Sequence, residues 1–240
     1  MIGLEIRNLW KKMGPNQALS GVGFRVSPGH LCGLIGPEGA GKTTLLRVLA
    51  GLLKPNEGEV SYLLNGEIRS FESIRADIAY MPERQSLYPD LSVAEHMDFF
   101  KELYQVDEST YLTRRKELLH ITRLTEFEDR PAGKLSGGMY KKLGLMCALL
   151  RSPKLLLLDE PTNGVDPISR REFWDLLYRL VHQGITVLVS TAYMDEAERC
   201  GQVQLLQDGK LLAEGEPREI LLAESVDSFD AFYLKKGAEV

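Results

Sequence analysis

Residues 36–43 read GPEGAGKT, and this string constrains the fold more than any other part of the 240-residue chain. It has the form GxxxxGK followed by Ser or Thr, in which glycines let backbone N–H groups converge on phosphate oxygens. Residues 31–36 form a short apolar run before it, and residues 42–50 carry leucines at helical spacing after it. The sequence therefore predicts a buried strand, a phosphate-binding loop and a helix in succession, which is typical of an α/β core.

The string LLLLDE at residues 155–160 is an apolar strand that ends in Asp159 and Glu160. A helical pattern at residues 168–182 and a second apolar strand at residues 185–190 follow it. This succession predicts parallel strands, whose carboxyl ends form the ligand-binding edge of an α/β sheet. Both carboxylates are therefore expected at that edge, beside the phosphate-binding loop.

The string LSGGM at residues 135–139 stands between these two motifs and opens a further predicted helix. The N–H groups at a helix start can bind an anion, so Ser136, Gly137 and Gly138 form a second candidate anion site. In this order and spacing, the three motifs resemble the ATP-binding domain of ABC transporters, over about residues 4–217.

The resemblance implies an α/β fold, a P-loop NTPase core with a mixed parallel sheet, and we expect residues 1–240 to form a single ABC ATP-binding domain. Alternating residues at 2–9 and 18–26 predict an N-terminal antiparallel β subdomain. A capping box at the start of one of two helical stretches predicts an inserted helical subdomain at residues 84–135. Later segments predict a helix at 194–200, a hairpin of strands 203–207 and 210–213, and a short helix at 217–222.

The resemblance also implies a role for each site residue, with ATP and Mg²⁺ as cofactors. Lys42 reaches the β- and γ-phosphates, Thr43 and Asp159 hold Mg²⁺, and Glu160 is the general base that polarises water. The LSGGM motif completes the ATP site of a second ABC ATP-binding domain, so function implies a homodimer, a heterodimer or a tandem pair. The loop residues expected to bind nucleotide are Gly36, Pro37, Glu38, Gly39, Ala40, Gly41, Lys42, Thr43 and Thr44.

Three positions depart from the pattern of the family. Glu83 stands where a glutamine normally contacts Mg²⁺ and the γ-phosphate, and we expect it at the metal, with Gln85 as the substitute if the loop is shifted. Ala192 stands where a histidine normally donates to the γ-phosphate, and alanine has no donor. Met13 replaces the aromatic ring that stacks on adenine, and a thioether covers that ring more weakly. Trp10 lies nearby in sequence and is expected to pack instead.

These departures all fall on the ATP site of this chain's own loop, whereas the LSGGM motif is intact. Such asymmetry resembles domains that pair with a non-identical partner. We therefore predict an ATP-binding, weakly hydrolysing ABC ATPase subunit or half-subunit with a partly degenerate site. The alternative is a non-turnover regulatory module that pairs with a competent partner. A soluble ABC protein of translation or DNA repair is disfavoured, because such proteins use fused tandem domains, long coiled coils or basic arms.

The strings GVDPISRR at residues 164–171 and YMDEAE at residues 193–198 resemble the exporter branch for drugs, lipids and polysaccharides. We therefore expect transmembrane permease subunits as partners, bound at the groove around residues 83–100. The net charge of −5 disfavours nucleic acid as a partner. No apolar run reaches the ~18–20 residues of a membrane span, and no signal peptide is recognised. The expected location is cytoplasmic, peripheral on the inner face of the membrane through the permease.

Overall fold

The computed structural model describes residues 1–84 and 87–238, which fold into two sheets flanked by helices. The strands are β1 Ile2–Met13, β2 Asn16–Val26, β3 Leu31–Ile35, β4 Glu57–Leu64, β5 Glu67–Arg69, β6 Ile78–Met81, β7 Leu155–Asp159, β8 Thr186–Thr191, β9 Gln202–Gln207 and β10 Lys210–Gly215. The helices are α1 Lys42–Leu49, α2 Phe71–Ile74, α3 Val93–Tyr104, α4 Glu108–Thr122, α5 Gly137–Leu149, α6 Pro167–His182, α7 Pro217–Glu224 and α8 Phe229–Ala238.

The two sheets differ in strand direction. The four-stranded sheet has the order β2-β1-β4-β5, and its pairings are antiparallel. The six-stranded sheet has the order β10-β9-β3-β8-β7-β6, and it is parallel except for the β9–β10 hairpin. Parallel neighbours require crossover connections, which the helices supply. The predicted α/β fold, with an N-terminal antiparallel unit and a mixed parallel sheet, is confirmed.

The run of leucines in β7 is explained by burial on both faces of the parallel sheet. Leu155 and Leu157 lie in the core cluster that also contains the apolar side of α1. Leu156 and Leu158 lie in the other cluster, together with Trp174 of α6. A strand covered on both faces reads as a continuous apolar run rather than an alternating one. The same burial fixes Asp159, the next residue, at the carboxyl edge of the sheet.

Helices α3 and α4 lie between β6 and α5, so a helical insertion separates two neighbouring strands of the sheet. The predicted capping box is present at the start of α3, where Ser92 and Glu95 exchange hydrogen bonds with each other's backbone N–H. The side chain of Asp107 caps α4 through the backbone N–H of Thr110. Within residues 1–84 and 87–238, no helix is both long and apolar enough to cross a membrane.

The helices predicted from the sequence differ from those of the structure near the end of the chain. The sequence predicts an α-helix at residues 194–200, but Met194–Arg199 is a 3-10 helix. Its backbone bonds are of the i to i+3 type, such as Cys200 N to Ala197 O at 3.1 Å, because β9 follows almost at once and Glu196 is tied to neighbouring elements. Helix α8, which buries its phenylalanines against the core, is not predicted from the sequence.

Candidate nucleotide site

The phosphate-binding loop links β3 to α1 and is shaped by close backbone approaches. A Cβ atom on Gly36 would lie 2.2 Å from the carbonyl oxygen of Leu206. Gly41 has a φ of 103°, and a Cβ there would lie 2.5 Å from the carbonyl oxygen of Ala18. Both positions therefore require glycine, for space in the first case and for backbone conformation as well in the second. The same approach seats the loop between β2 and the β9–β10 hairpin.

Lys42, at the first position of α1, turns its ammonium back into the loop. Its Nζ donates to the carbonyl oxygens of Gly36 at 2.7 Å and Pro37 at 3.0 Å. It also forms an ion pair with Glu160 Oε1 at 3.0 Å, and the two side chains are 5% and 11% exposed. The predicted phosphate-binding cation and the predicted general base are therefore brought together, and each neutralises the other.

Asp159 accepts hydrogen bonds from three hydroxyl groups. Thr43 Oγ1 donates to Oδ1 at 3.0 Å, and Ser190 Oγ donates to the same oxygen at 2.8 Å. Tyr80 OH donates to Oδ2 at 3.1 Å. Burial, and then the charge of Asp159, raise the pKa of Tyr80 to about 12, so this phenol keeps its proton at neutral pH. The proposed metal ligands Thr43 and Asp159 are thus already adjacent.

Glu160 has a left-handed backbone with a φ of 46°, which is strained for a residue with a side chain. Several bonds hold it there. Its N–H donates to Ser190 Oγ at 3.0 Å, and its carbonyl oxygen accepts from Asn163 N at 3.2 Å. The carboxylate Oε2 accepts from the backbone N–H of Ala192 at 3.1 Å. Ala192 has no side-chain donor, but its backbone N–H therefore still donates a hydrogen bond to Glu160.

These residues fit ATP and Mg²⁺. Mg²⁺ is usually held by one or two carboxylates together with substrate phosphates and water. A buried carboxylate and a hydroxyl stand side by side at Asp159 and Thr43, next to a loop that precedes a helix N-terminus. The ammonium of Lys42 lies within the same loop.

Glu83 makes its contacts away from Asp159. Its Oε1 accepts from Asn163 Nδ2 at 3.4 Å, and its carbonyl oxygen accepts from Lys141 Nζ at 2.8 Å. Among the described residues, no hydrogen bond joins Glu83 to Thr43 or Asp159. A metal role for Glu83 stays a prediction, and the alternative residue Gln85 lies outside the described residues.

Met13 and Trp10 lie on the strand that pairs with β2, the strand approached by the loop at Gly41. Met13 ends β1 opposite Asn16 and is 41% exposed, so its thioether is available to a ligand. Trp10 is 36% exposed, and its Nε1 donates to Asn8 Oδ1 at 3.0 Å. Both side chains are exposed. The role of Met13 in covering adenine stays a prediction.

The LSGGM motif lies at the start of α5, where Ser136 Oγ accepts from Met139 N at 3.3 Å. A Cβ on Gly138 would lie 2.5 Å from Ser169 Cβ in the first turn of α6. A Cβ on Gly137 would lie 3.6 Å from the carbonyl oxygen of Gly164. Among the described residues, no hydrogen bond joins the motif to the chain's own phosphate-binding loop.

Sequence reasoning missed several residues around the carboxylates. Tyr80 and Ser190 lie in largely apolar strands, where a hydroxyl reads as part of a core position. Lys141 lies on α5; burial lowers its pKa, and the nearby charges of Glu83, Glu160 and Asp159 oppose that effect. No motif in the sequence marks Lys141.

A buried carboxylate also ties the turn after Glu160 to its surroundings. Glu196 is fully buried and accepts from Thr162 Oγ1 at 2.9 and 3.1 Å through its two oxygens. Its Oε1 also accepts from Trp174 Nε1 at 2.9 Å and pairs with Arg170 Nε at 2.7 Å. No sequence signal separates Glu196 from the other acidic residues of its segment.

Curated proteins resemble the chain over most of its length. The chain is 46% identical to the probable multidrug ABC transporter ATP-binding protein YbhF of Escherichia coli K12, over 85% of this chain and 35% of that protein. It is 35% identical to the Nod factor export ATP-binding protein I of Burkholderia lata, over 92% of this chain and 73% of that protein. The chain therefore spans about a third of the length of the first relative.

Solved structures share the fold. The ATP-binding subunit of an ABC transporter superposes with a TM-score of 0.82 at 31% identity, covering 97% of this chain and 98% of the other. A dimeric ATP-binding cassette in a post-hydrolysis state, bound to ADP and phosphate, gives a TM-score of 0.76 at 27% identity, covering 89% and 98%. The family model for ABC transporters matches residues 19–163. The chain belongs to the ABC transporter family, as an ATP-binding protein of that family.

Proposed function

We propose that this chain binds ATP with Mg²⁺ in its own loop and, paired with a second ABC ATP-binding domain, powers a membrane exporter. The observation that carries the proposal is the contact between Thr43 and Asp159 beside Lys42. The export direction is supported by the names of the relatives, a multidrug transporter protein and a Nod factor exporter. Because the chain spans only 35% of the first relative, the activity, cargo and partners of the whole protein are part of the proposal.

The mechanism begins with an exchange of partners at Lys42. In the structure this ammonium neutralises Glu160, and phosphate oxygens compete for it when nucleotide binds. Release from Lys42 leaves the Glu160 carboxylate held by the backbone N–H of Ala192, with Oε1 available to accept a proton from water. Thr43 and Asp159 would hold Mg²⁺, which would neutralise negative charge on the nucleotide phosphates.

Two positions support weak hydrolysis at this site. Ala192 offers the γ-phosphate no side-chain donor, and its N–H is already bonded to Glu160. Glu83 brings negative charge where an amide would donate, and its carboxylate is turned towards Asn163. Charge developing on the phosphoryl group during transfer is therefore less well stabilised than in a site with both donors. We propose a partly degenerate ATP site with slow turnover.

The second candidate is a non-turnover, ATP-binding regulatory module. It is favoured by the same absence of a side-chain donor at Ala192, together with an intact LSGGM motif in which Ser136 and Gly137 are exposed. In this arrangement the chain holds nucleotide in its own loop and completes the site of a catalytically competent partner. Both candidates require a second ABC ATP-binding domain, as a homodimer, a heterodimer or the other half of a tandem protein.

Permease subunits are the proposed membrane partners. A groove of about 180 Å³ lies beside Glu83 and is lined in part by Tyr80, Pro82, Leu87 and Phe100. Its apolar walls and its position between β6 and α3 support the proposal that a permease segment binds there. A cytoplasmic location, peripheral on the inner face of the membrane, follows from such an attachment. We also propose one domain, 1–240, with a helical subdomain at 84–135, because α3 and α4 lie between two neighbouring strands of one sheet.

The experiment that tests the function is ATP turnover by the purified chain, alone and with a partner ABC domain recovered from native membranes. We expect nucleotide binding by the chain alone, slow phosphate release, and faster release in the pair. Turnover in the pair that survives Glu160→Gln in this chain, but not the equivalent change in the partner, supports the regulatory module. A chain that binds no nucleotide contradicts both candidates.

A further inference from the structure

Asp159 accepts hydrogen bonds from hydroxyl groups on both strands that neighbour β7. Ser190 lies directly opposite Asp159 in the pairing of β7 with β8, and its Oγ bonds Oδ1 at 2.8 Å. Tyr80 lies on β6, the other neighbour of β7, and its hydroxyl bonds Oδ2 at 3.1 Å. Neither residue belongs to the motifs that identify the family in this chain.

The reach of Tyr80 follows from strand register. Tyr80 pairs with Leu157, two residues before Asp159, and residues two apart on a strand project from the same face. The ring packs against the same apolar cluster as Leu157 and points its hydroxyl forward to the carboxylate. A phenol on a rigid ring spans this distance with only two side-chain torsions, so its position is well defined by packing.

The bonds to Asp159 divide into two kinds. The hydroxyl of Thr43 is itself a proposed metal ligand, so its bond to Oδ1 changes when a cation binds. The bonds from Ser190 and Tyr80 come from side chains with no other proposed role at the cation. The final torsion of an aspartate is broad, so a carboxylate needs such bonds to keep one plane. Oδ2 accepts only from Tyr80 among the described residues, which leaves it a second lone pair to face a ligand.

We propose that Tyr80 is a positioning residue that orients the Asp159 carboxylate towards a divalent cation bound with the nucleotide phosphates. The inference rests on the proposed function, in which Asp159 holds Mg²⁺. Partners that orient a metal ligand typically change metal affinity or activity by about 10- to 100-fold when removed. Tyr80 acts through Asp159 and does not touch the reacting atoms.

The test compares the affinity for AMP-PNP, a non-hydrolysable ATP analogue, in Mg²⁺ and in EDTA. Wild type should gain affinity from Mg²⁺. Tyr80→Phe keeps the ring and removes the hydroxyl. We expect its Mg²⁺-dependent gain in affinity to be about tenfold smaller than that of wild type, and its affinity in EDTA to equal that of wild type. Tyr178→Phe is the matched control, because it removes a hydroxyl that donates at 3.1 Å to the carbonyl oxygen of Arg199, in another part of the fold.

A double-variant measurement applies even if Tyr80→Phe weakens the fold. In an Asp159→Asn background the hydroxyl of Tyr80 has no carboxylate to orient, so Tyr80→Phe should then leave the cation-dependent gain unchanged. Mn²⁺ binding in the presence of AMP-PNP, followed by electron paramagnetic resonance, should weaken in Tyr80→Phe alone.

The outcomes separate this inference from the proposed function. A wild type that gains affinity from Mg²⁺ while Tyr80→Phe gains equally overturns the inference alone. A loss of equal size in EDTA also overturns it, because that result indicates a general structural role. A wild type that gains nothing from Mg²⁺ contradicts the metal site of the proposed function, and the inference with it.

Discussion

At the scale of single residues, the site is organised by the buried ion pair between Lys42 and Glu160. Both side chains are almost fully buried, so each depends on the other for charge compensation. The pair brings the binding cation and the proposed base together before nucleotide arrives. ATP binding therefore has to replace the contact of Lys42 with Glu160 by a contact with phosphate. The affinity for ATP reflects the difference in free energy between these two contacts.

The first prediction is that Lys42→Ala lowers ATP affinity by about tenfold or more. A charge-assisted contact contributes about 1.5–3 kcal/mol, and its loss is not replaced by another mobile cation of the loop. Calorimetric titration measures the effect, with Lys116→Ala, an exposed lysine on α4, as the control. An unchanged affinity in Lys42→Ala would remove the phosphate-binding assignment of the loop.

The second prediction concerns the two departures at Ala192 and Glu83. Ala192→His adds a donor that contributes about 1.5–3 kcal/mol if fully realised, or roughly ten- to a hundredfold in turnover. We expect a smaller gain from this single change, because Glu83 keeps negative charge near the phosphoryl group. The double variant Glu83→Gln with Ala192→His should gain more than the two single variants together, since both groups act on one phosphate.

This cycle is measured as turnover of the four proteins, each assembled with the same partner. A double variant no faster than the parent would show that the departures are not what limits the site. The structure sharpens the design, because the backbone N–H of Ala192 already bonds Glu160, and a histidine there has to leave that bond intact. Binding affinity measured alongside turnover separates a disturbed Glu160 from a failed rescue.

Among single residues, those that belong to motifs could be predicted from the sequence, and those that reach the site through tertiary packing could not. The loop, Asp159 and Glu160 are found because glycines and carboxylates at fixed spacing have few other uses. Tyr80 and Ser190 could not be singled out, since a hydroxyl in an apolar strand gives no sign of its partner. The left-handed backbone of Glu160 is likewise invisible, because no glycine marks it.

At the scale of elements, the start of α5 packs closely against the first turn of α6. A Cβ on Gly138 would come within 2.5 Å of Ser169 Cβ, closer than such atoms approach in folded proteins. Gly138 is thus required by helix packing as well as by its proposed place in an anion site. The glycines are recognised in the sequence by resemblance, but the contact depends on how α6 packs and cannot be predicted from the sequence.

The third prediction is that Gly138→Ala destabilises the fold by about 1–3 kcal/mol, the usual range for overpacking. Thermal unfolding should show a midpoint lower by several degrees. Gly137→Ala is the matched control, because its Cβ would make only an ordinary contact at 3.6 Å with Gly164 O. Equal midpoints for the two variants would contradict the packing explanation.

The order of elements was largely predictable, and the exceptions have physical causes. Strands and helices of the core follow from apolar periodicity, and the capping box located α3 correctly. The segment Met194–Arg199 tightened into a 3-10 helix because Glu196 is held by Thr162 and Trp174, a tertiary effect. Helix α8 is amphipathic only through a few aromatic residues, a weak periodic signal over ten residues.

At the scale of the whole molecule, one chain carries half of each of two proposed sites. The fourth prediction is that the purified chain is mostly monomeric and hydrolyses ATP slowly, because bound nucleotide bridges two ABC domains and one set of contacts here lacks donors. Light scattering and phosphate release measure these properties. Brisk, cooperative turnover by the chain alone would count against a degenerate site.

The fifth prediction is that Glu160→Gln stabilises an ATP-bound dimer more than it weakens nucleotide binding. The amide keeps the shape and can accept from Ala192 N–H, but it takes no proton from water and no longer pairs ionically with Lys42. Light scattering in ATP measures the dimer, and phosphate release measures the base. Hydrolysis at the parent rate would show that Glu160 is not the base.

The contact of Gly138 with Ser169 also bears on communication between nucleotides. The turn that begins at Glu160 leads into α6, and α6 abuts the motif offered to the second domain. In the proposed dimer, the packing of α6 against α5 would connect one chain's own nucleotide with the nucleotide held across the interface. Coupling of this kind is reciprocal, so each bound nucleotide alters the affinity of the other by the same factor. A domain that only binds nucleotide would in this way still influence the nucleotide affinity of its partner.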